Sequence, residues 1–128
     1  MKIKDFKQMI DNDDKKTLAI DFDGVIHKNS KGFHDGTVYD EPIEGVEKGL
    51  KQLYESYKLV IYTCKANPNR PLVNKKTGVD LIWDWLKKHN LDKYIDDICY
   101  IKPNAKYYID DKAYNFKSWN QTLKDIHE

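Results

Sequence analysis

Apolar residues fall into short continuous runs along the chain, separated by longer stretches in which they recur at helical spacing. Thr17-Leu18-Ala19-Ile20-Asp21-Phe22 is such a run, ending in an acid, and predicts a buried strand. Val46, Leu50, Leu53, Tyr54 and Tyr57 then recur at spacings of four, three, one and three, which is one apolar face of a helix. Pro42 suits the first turn of that helix. Leu59-Val60-Ile61-Tyr62 predicts a second strand, ending at Thr63. Val79, Ile82, Trp83 and Leu86 mark a second helix, which Asn90 stops. Ile98-Cys99-Tyr100-Ile101 and Tyr107-Tyr108-Ile109 predict two more strands, the last ending at Asp110. A final helix turns Trp119, Leu123 and Ile126 inward. Residues 2–10 read as a further short helix before the polar turn Asp11-Asn12-Asp13-Asp14.

Strands that alternate with helices predict an α/β fold, a parallel sheet flanked by helices in three Rossmann-like layers. Near-continuous apolar strands agree, because strands of such sheets are buried on both faces. The length of 128 residues matches one domain, spanning 1–128. Ligands of open parallel sheets bind beyond the carboxyl ends of strands, at the switch point in strand order. Three of the four predicted strands end in residues with phosphate chemistry: Asp21, Thr63, and Asp110 with Asp111.

Composition narrows the function classes. Lysine and arginine number 22 against 21 acids, so the net charge of +1 advertises neither a nucleic-acid nor a membrane partner. No stretch approaches the roughly 18 apolar residues of a membrane span, and the charged start Met1-Lys2-Ile3-Lys4-Asp5 does not read as a signal peptide. Cys64 and Cys99 stand far apart, outside any CxxC or Cys/His spacing, so a disulfide framework or zinc site is not expected. Reduced thiols fit a cytoplasmic protein.

The chemistry centres on Asp21-Phe22-Asp23-Gly24. A carboxylate at a strand end can attack phosphorus and form an aspartyl phosphate. A second acid two residues on can protonate the leaving oxygen and later deprotonate water, and Gly24 permits the sharp turn that points both acids into one pocket. Asp110 and Asp111 add the charge that binds a hard divalent cation through oxygen, and such a cation relieves the repulsion among four converging acids. Asp111 also fits as a cap for the helix after it. Thr63 offers a hydroxyl, and Cys64 next to it a backbone N–H, to phosphate oxygens; Lys102 supplies positive charge.

In this order the residues resemble the four motifs of the haloacid dehalogenase superfamily: DxD, Ser/Thr, Lys and a final acidic pair. The resemblance runs from Leu18-Ala19-Ile20-Asp21-Phe22-Asp23-Gly24-Val25-Ile26 through Lys102-Pro103-Asn104-Ala105-Lys106-Tyr107-Tyr108-Ile109-Asp110-Asp111. It implies magnesium as cofactor, held by the Asp21 carboxylate, the Asp23 main-chain carbonyl and the Asp110-Asp111 pair. It also implies phosphoryl transfer, since members acting on carbon–halogen bonds lack the second acid that Asp23 supplies. Two features depart from the common pattern. The last acids are adjacent rather than spaced, and Lys102 lies only eight residues before Asp110, which leaves no room for a helix between. Lys106 is the alternative third-motif lysine. The compact ending is similar to deoxyribonucleotidases and to small phage and bacterial phosphatases of the superfamily.

The cap domains that choose substrates in this superfamily have no room here. Fewer than twenty residues separate Gly24 from Pro42, enough for a flap, and Thr63 to Lys102 holds only what the core needs. The resemblance is therefore to a capless phosphatase, with an open site that admits a nucleotide or a polynucleotide 3′-phosphate end. Lys65, Arg70, Lys75 and Lys76, with no acid among them between Cys64 and Gly78, are candidates for a basic rim on such a substrate, or for an ordinary solvated loop. Phe33, Tyr39 and Trp85 are candidates for stacking on a base or for packing. His27 and His34 fall in the flap, as substrate contacts or as plain loop residues. The competing readings are a non-enzymatic phospho-acceptor, as in signalling receiver domains, and an inactive binding module. Receivers place the acidic pair early and the acceptor aspartate where this chain has Thr63.

Overall fold

The computed structural model describes residues 15–32, 35–110 and 118–127. Within them four strands, β1 (Lys16–Asp21), β2 (Tyr57–Tyr62), β3 (Asp97–Cys99) and β4 (Tyr107–Ile109), form one parallel sheet in the order β3-β2-β1-β4. Three α-helices accompany it: α1 (Val46–Tyr54), α2 (Gly78–Lys88) and α3 (Trp119–His127). The coarse expectation of an α/β fold with a parallel sheet holds. The helix over residues 2–10 lies outside the described residues.

Register sorts the side chains into two faces. Leu18 pairs with Leu59 and Ile20 with Ile61, which in turn pairs with Ile98. Alternation puts these five side chains on one face, where they join Phe22, Leu50, Ile82, Leu86 and Leu91 in the buried core. Right-handed crossovers place both α1 and α2 on that same face, because β1, β2 and β3 advance in one direction. The other face carries Ala19, Asp21, Val60, Tyr62 and Cys99. Ala19 is buried, but the rest are half-buried among the described residues.

Several boundaries differ from expectation, each for a local reason. Pro42 does not open α1; it pairs with His27 in an antiparallel bridge that brings the flap back to the sheet. Lys28 N–H to Glu41 O and Ile43 N–H to Ile26 O, both 2.9 Å, flank that bridge. A proline fits there because only its neighbours need to donate. The helix begins at Val46, after Gly45 turns the chain at φ 88°. Tyr57 belongs to β2, opposite Lys16, and not to the helical face. The third strand stops at Cys99 because β2 ends opposite it and turns away, leaving Tyr100 and Ile101 exposed without a strand to pair with. In α3, Trp119 and Leu123 face solvent rather than the core, at 71% and 53% exposure; the Ile126 side chain lies outside the described ones.

The stop at Asn90 holds. Asn90 adopts φ 59°, Leu91 N–H bonds Leu86 O at 2.8 Å, and Asn90 N–H bonds Lys87 O at 3.2 Å. The left-handed residue thus satisfies the last carbonyls of α2 while Leu91 returns to the core beside Leu86. No helix among the described residues is long and apolar enough to cross a membrane.

Candidate active site

The strand order reverses between β1 and β4, since β2 and β3 extend to one side of β1 and β4 returns to the other. A crevice opens at the carboxyl end of such a pair. Ile20 pairs with Ile109, so the next residues in register, Asp21 and Asp110, stand side by side at those ends. Tyr62 pairs with Asp21 from the opposite side. Tyr62, Asp21 and Asp110 therefore form one row across three strand ends.

A hydrogen bond closes this row. The Tyr62 hydroxyl donates to Asp110 Oδ2 at 2.7 Å, reaching past the end of β1. Burial, this bond and the charges of Asp110 and Asp21 all hold the Tyr62 phenol well above its usual pKa. Tyr62 therefore remains a donor. Asp21 Oδ1 accepts the N–H of Phe22 at 2.8 Å, which orients the carboxylate at the strand end. Lys102 sets its ammonium 4.3 Å from the Tyr108 ring and 6.0 Å from that of Tyr62, close to the row. Lys106 precedes β4, and its N–H bonds Thr17 O at the amino end of the sheet, remote from the acids.

Asp23 follows on a tight turn. Gly24 takes φ 85°, and the N–H groups of Val25, Ile26 and His27 all converge on Phe22 O. Positive φ is cheap only for glycine, so the turn needs Gly24. Asp23 Oδ1 receives two donors, His27 Nδ1 at 2.8 Å and Lys65 Nζ at 2.9 Å. Partial burial alone would raise the Asp23 carboxyl; the bonds from His27 and Lys65 and the lysine charge outweigh it, and its pKa lies below the ordinary value.

Lys65, a candidate for the basic rim of the pocket, is nearly buried with its ammonium on Asp23 and 6.0 Å from the Phe22 ring. Thr63 is buried. Its N–H bonds Cys99 O at 2.9 Å and its hydroxyl caps a 3₁₀ turn over Cys64–Ala66 by accepting Lys65 N–H at 3.3 Å. Its backbone donor is thus engaged in the sheet, and Cys64, exposed, follows it into the turn. The rest of the basic segment disperses. Val73 and Lys76 exchange two backbone bonds around Asn74 and Lys75, both at positive φ, a two-residue hairpin. Lys75 occupies its tip, Lys76 pairs with Asp84 of α2, and Arg70 lines a small cavity with Asp35, Gly36 and Val73.

Trp85 is buried and not available to a base: its ring meets Phe22 and His27 edge-on, and its Nε1 donates to Asp40 O at 2.8 Å. Tyr39 is occupied within the flap, its hydroxyl bonded to Lys31 N–H and Gly32 O. Phe33, His34 and Asp111 lie outside the described residues.

Among the described residues no three His, Cys, Asp or Glu side chains gather closely enough to hold a metal ion. Asp21 and Asp110, next in register at neighbouring strand ends, nonetheless each bring a carboxylate, and hard cations take carboxylate and main-chain carbonyl oxygen alike. That donor chemistry fits magnesium. The residues that sequence reasoning undervalued are Lys65, His27 and Tyr62. Only Tyr62 had a readable signal, as the last residue of an apolar strand on the alternation face shared with Asp21.

Comparison of the chain with protein-family models, curated proteins and solved structures returns no match.

Proposed function

We propose that the chain is a magnesium-dependent phosphomonoester hydrolase of the haloacid dehalogenase type, with Asp21 as nucleophile and Asp23 as proton carrier. The observation that carries this reading is the row of Asp21 and Asp110 at the switch point, with Asp23 two residues beyond Asp21 and ionised beside Lys65. In the first step an Asp21 oxygen bonds phosphorus as the ester P–O bond breaks, and the leaving oxygen takes a proton that the Lys65 ammonium passes through Asp23. In the second, Asp23 removes a proton from water, the water oxygen bonds phosphorus, and Asp21 is released with inorganic phosphate.

Asp21, Asp110 and the Asp23 carbonyl would hold the magnesium, with Asp111 completing the set that the resemblance implies. When bound, the ion neutralises charge on the transferring phosphate. Lys65 and Lys102 bring the positive charge that this chain itself contributes, and Thr63 with Cys64 lies at the adjoining strand end. The flap from Val25 to Asp40 is short, so the site stays open, which favours a nucleotide or a polynucleotide 3′-phosphate end as substrate. Arg70 and Lys75, from the same basic segment, are the candidates to meet a sugar-phosphate chain, in a cytoplasmic setting that suits two free thiols.

The test is phosphate release with magnesium, comparing a 3′-phosphorylated oligonucleotide, 5′-mononucleotides, sugar phosphates and an aryl phosphate. Turnover is expected on at least one phosphomonoester, abolished by chelation and by Asp21→Asn. Phosphate release that survives Asp21→Asn would overturn the mechanism, and equal losses on oligonucleotide and aryl phosphate in Arg70→Ala/Lys75→Ala would argue against a polynucleotide.

A further inference from the structure

We propose that His27 is a positioning residue for the reaction: it fixes one oxygen of Asp23 and so leaves the other to carry the proton. This inference rests on the phosphatase reading above. His27 is completely buried, four residues after Asp23, and its two ring nitrogens are both engaged. Nε2 lies 3.0 Å from the backbone N–H of Asp40. A backbone N–H can only donate, so Nε2 accepts. A neutral imidazole that accepts at Nε2 carries its proton on Nδ1. The 2.8 Å contact between Nδ1 and Asp23 Oδ1 is therefore a bond donated by His27.

The ring has no freedom to do otherwise. It stacks on Phe22 at 5.3 Å with planes 11° apart and meets Tyr39 and Trp85 edge-on. Its own backbone is locked to the DxD turn by Gly24 N–H to His27 O and His27 N–H to Phe22 O, each 2.9 Å. Asp40 is held at its other end by Trp85 Nε1, 2.8 Å from Asp40 O. A continuous chain thus runs from helix α2 through Trp85, Asp40 and His27 to Asp23.

The consequence for Asp23 is an asymmetry between its oxygens. Oδ1 takes both His27 and Lys65, whereas Oδ2 has no partner among the described residues. A buried histidine that merely filled space would not need to spend its one proton on the acid of the DxD pair. Oriented in this way, Asp23 turns the same oxygen towards the leaving group and later towards water.

Two substitutions separate positioning from packing. His27→Asn keeps an amide donor at the place of Nδ1 and loses the acceptor for Asp40. His27→Gln keeps an acceptor at the place of Nε2 and withdraws the donor from Asp23. With the full chain and magnesium, His27→Asn is expected to retain kcat within about tenfold, and His27→Gln to lose roughly a hundredfold with KM unchanged, as loss of a general acid–base group's alignment predicts. The His27→Gln loss should be larger on an alkyl phosphate than on an aryl phosphate, whose leaving group needs a proton less. Equal losses for both variants on both substrates, following thermal stability, would overturn the proposal and leave the phosphatase reading standing; absence of turnover in the wild-type chain would overturn both. Nitrogen-15 spectra of the wild-type His27 ring read the geometry without any substitution. They should show the Nδ1–H tautomer, and the Nε2–H tautomer would overturn the proposal.

Discussion

Asp23 combines partial burial with a carboxyl held below its ordinary pKa, and a buried carboxylate is costly unless donors compensate it. Lys65 and His27 do so through a single oxygen. The sign of the resulting pH dependence follows from the direction of the shift. A carboxylate whose folded pKa lies below its ordinary 3.8 contributes stability that is complete above about that pH, and loses it as the pH falls through the folded value. Thermal unfolding of wild type and Asp23→Asn should therefore differ most near neutrality, with the gap closing in strong acid. A constant gap at all pH values would mean that the ionised carboxylate is not what Lys65 and His27 stabilise. The same substitution is expected to lower turnover by roughly 10²–10⁴-fold, the usual worth of a general acid–base group. Asp21, Asp23, Thr63 and Asp110 were legible as candidates because each sits where an apolar run stops. The roles of Lys65 and His27 were not, and for Tyr62 only the face it shares with Asp21 was. They depend on which distant chain segments meet, such as Lys65 against Asp23 and Tyr62 against Asp110, and a one-dimensional pattern does not carry that.

At the scale of elements, the position of Lys65 depends on how α2 begins. Thr77 caps the helix by accepting Asp80 N–H while Asp80 reciprocates towards the Thr77 N–H, so the first turn is fixed. Gly78, the next residue, presses on the 3₁₀ turn: a Cβ there would stand 1.6 Å from the carbonyl oxygen of Lys65 and 2.7 Å from its carbon. Backbone cannot yield as a flexible side chain can. Gly78→Ala should therefore destabilise the fold by about 1–3 kcal/mol, as overpacking does, and reduce turnover by moving Lys65 away from Asp23. Urea unfolding and a phosphate-release assay check both; an alanine variant with unchanged stability would contradict the close approach. Element existence was largely legible here, with β1, β4 and the Asn90 stop of α2 read within a residue or so. The misread boundaries share a cause. Pro42, Tyr57 and Tyr100-Ile101 stand at joints between elements, where tertiary pairing decides the boundary: Pro42 against His27, Tyr57 against Lys16, and the end of β2 for the third strand.

For the whole molecule, the decisive property is the strand order β3-β2-β1-β4. Residues 21 and 110 are distant in sequence, and only the return of β4 to the free side of β1 makes them neighbours. The sequence pattern implied a parallel sheet, but strand order entered only through the recurrence of acids at strand ends. Helices α1 and α2 gather the core on one face of the sheet, and the row of Tyr62, Asp21 and Asp110 lies on the other, at its carboxyl edge. In the proposed function this separation lets the core stay closed while the site stays open to a large phosphorylated substrate. The most direct measurement is a rapid acid quench of the chain turning over an aryl phosphate with magnesium, followed by peptide mass spectrometry. A phosphoryl group on the Asp21 carboxylate, absent from Asp21→Asn, is the predicted result; steady turnover with the phosphoryl group on any other residue would contradict the account.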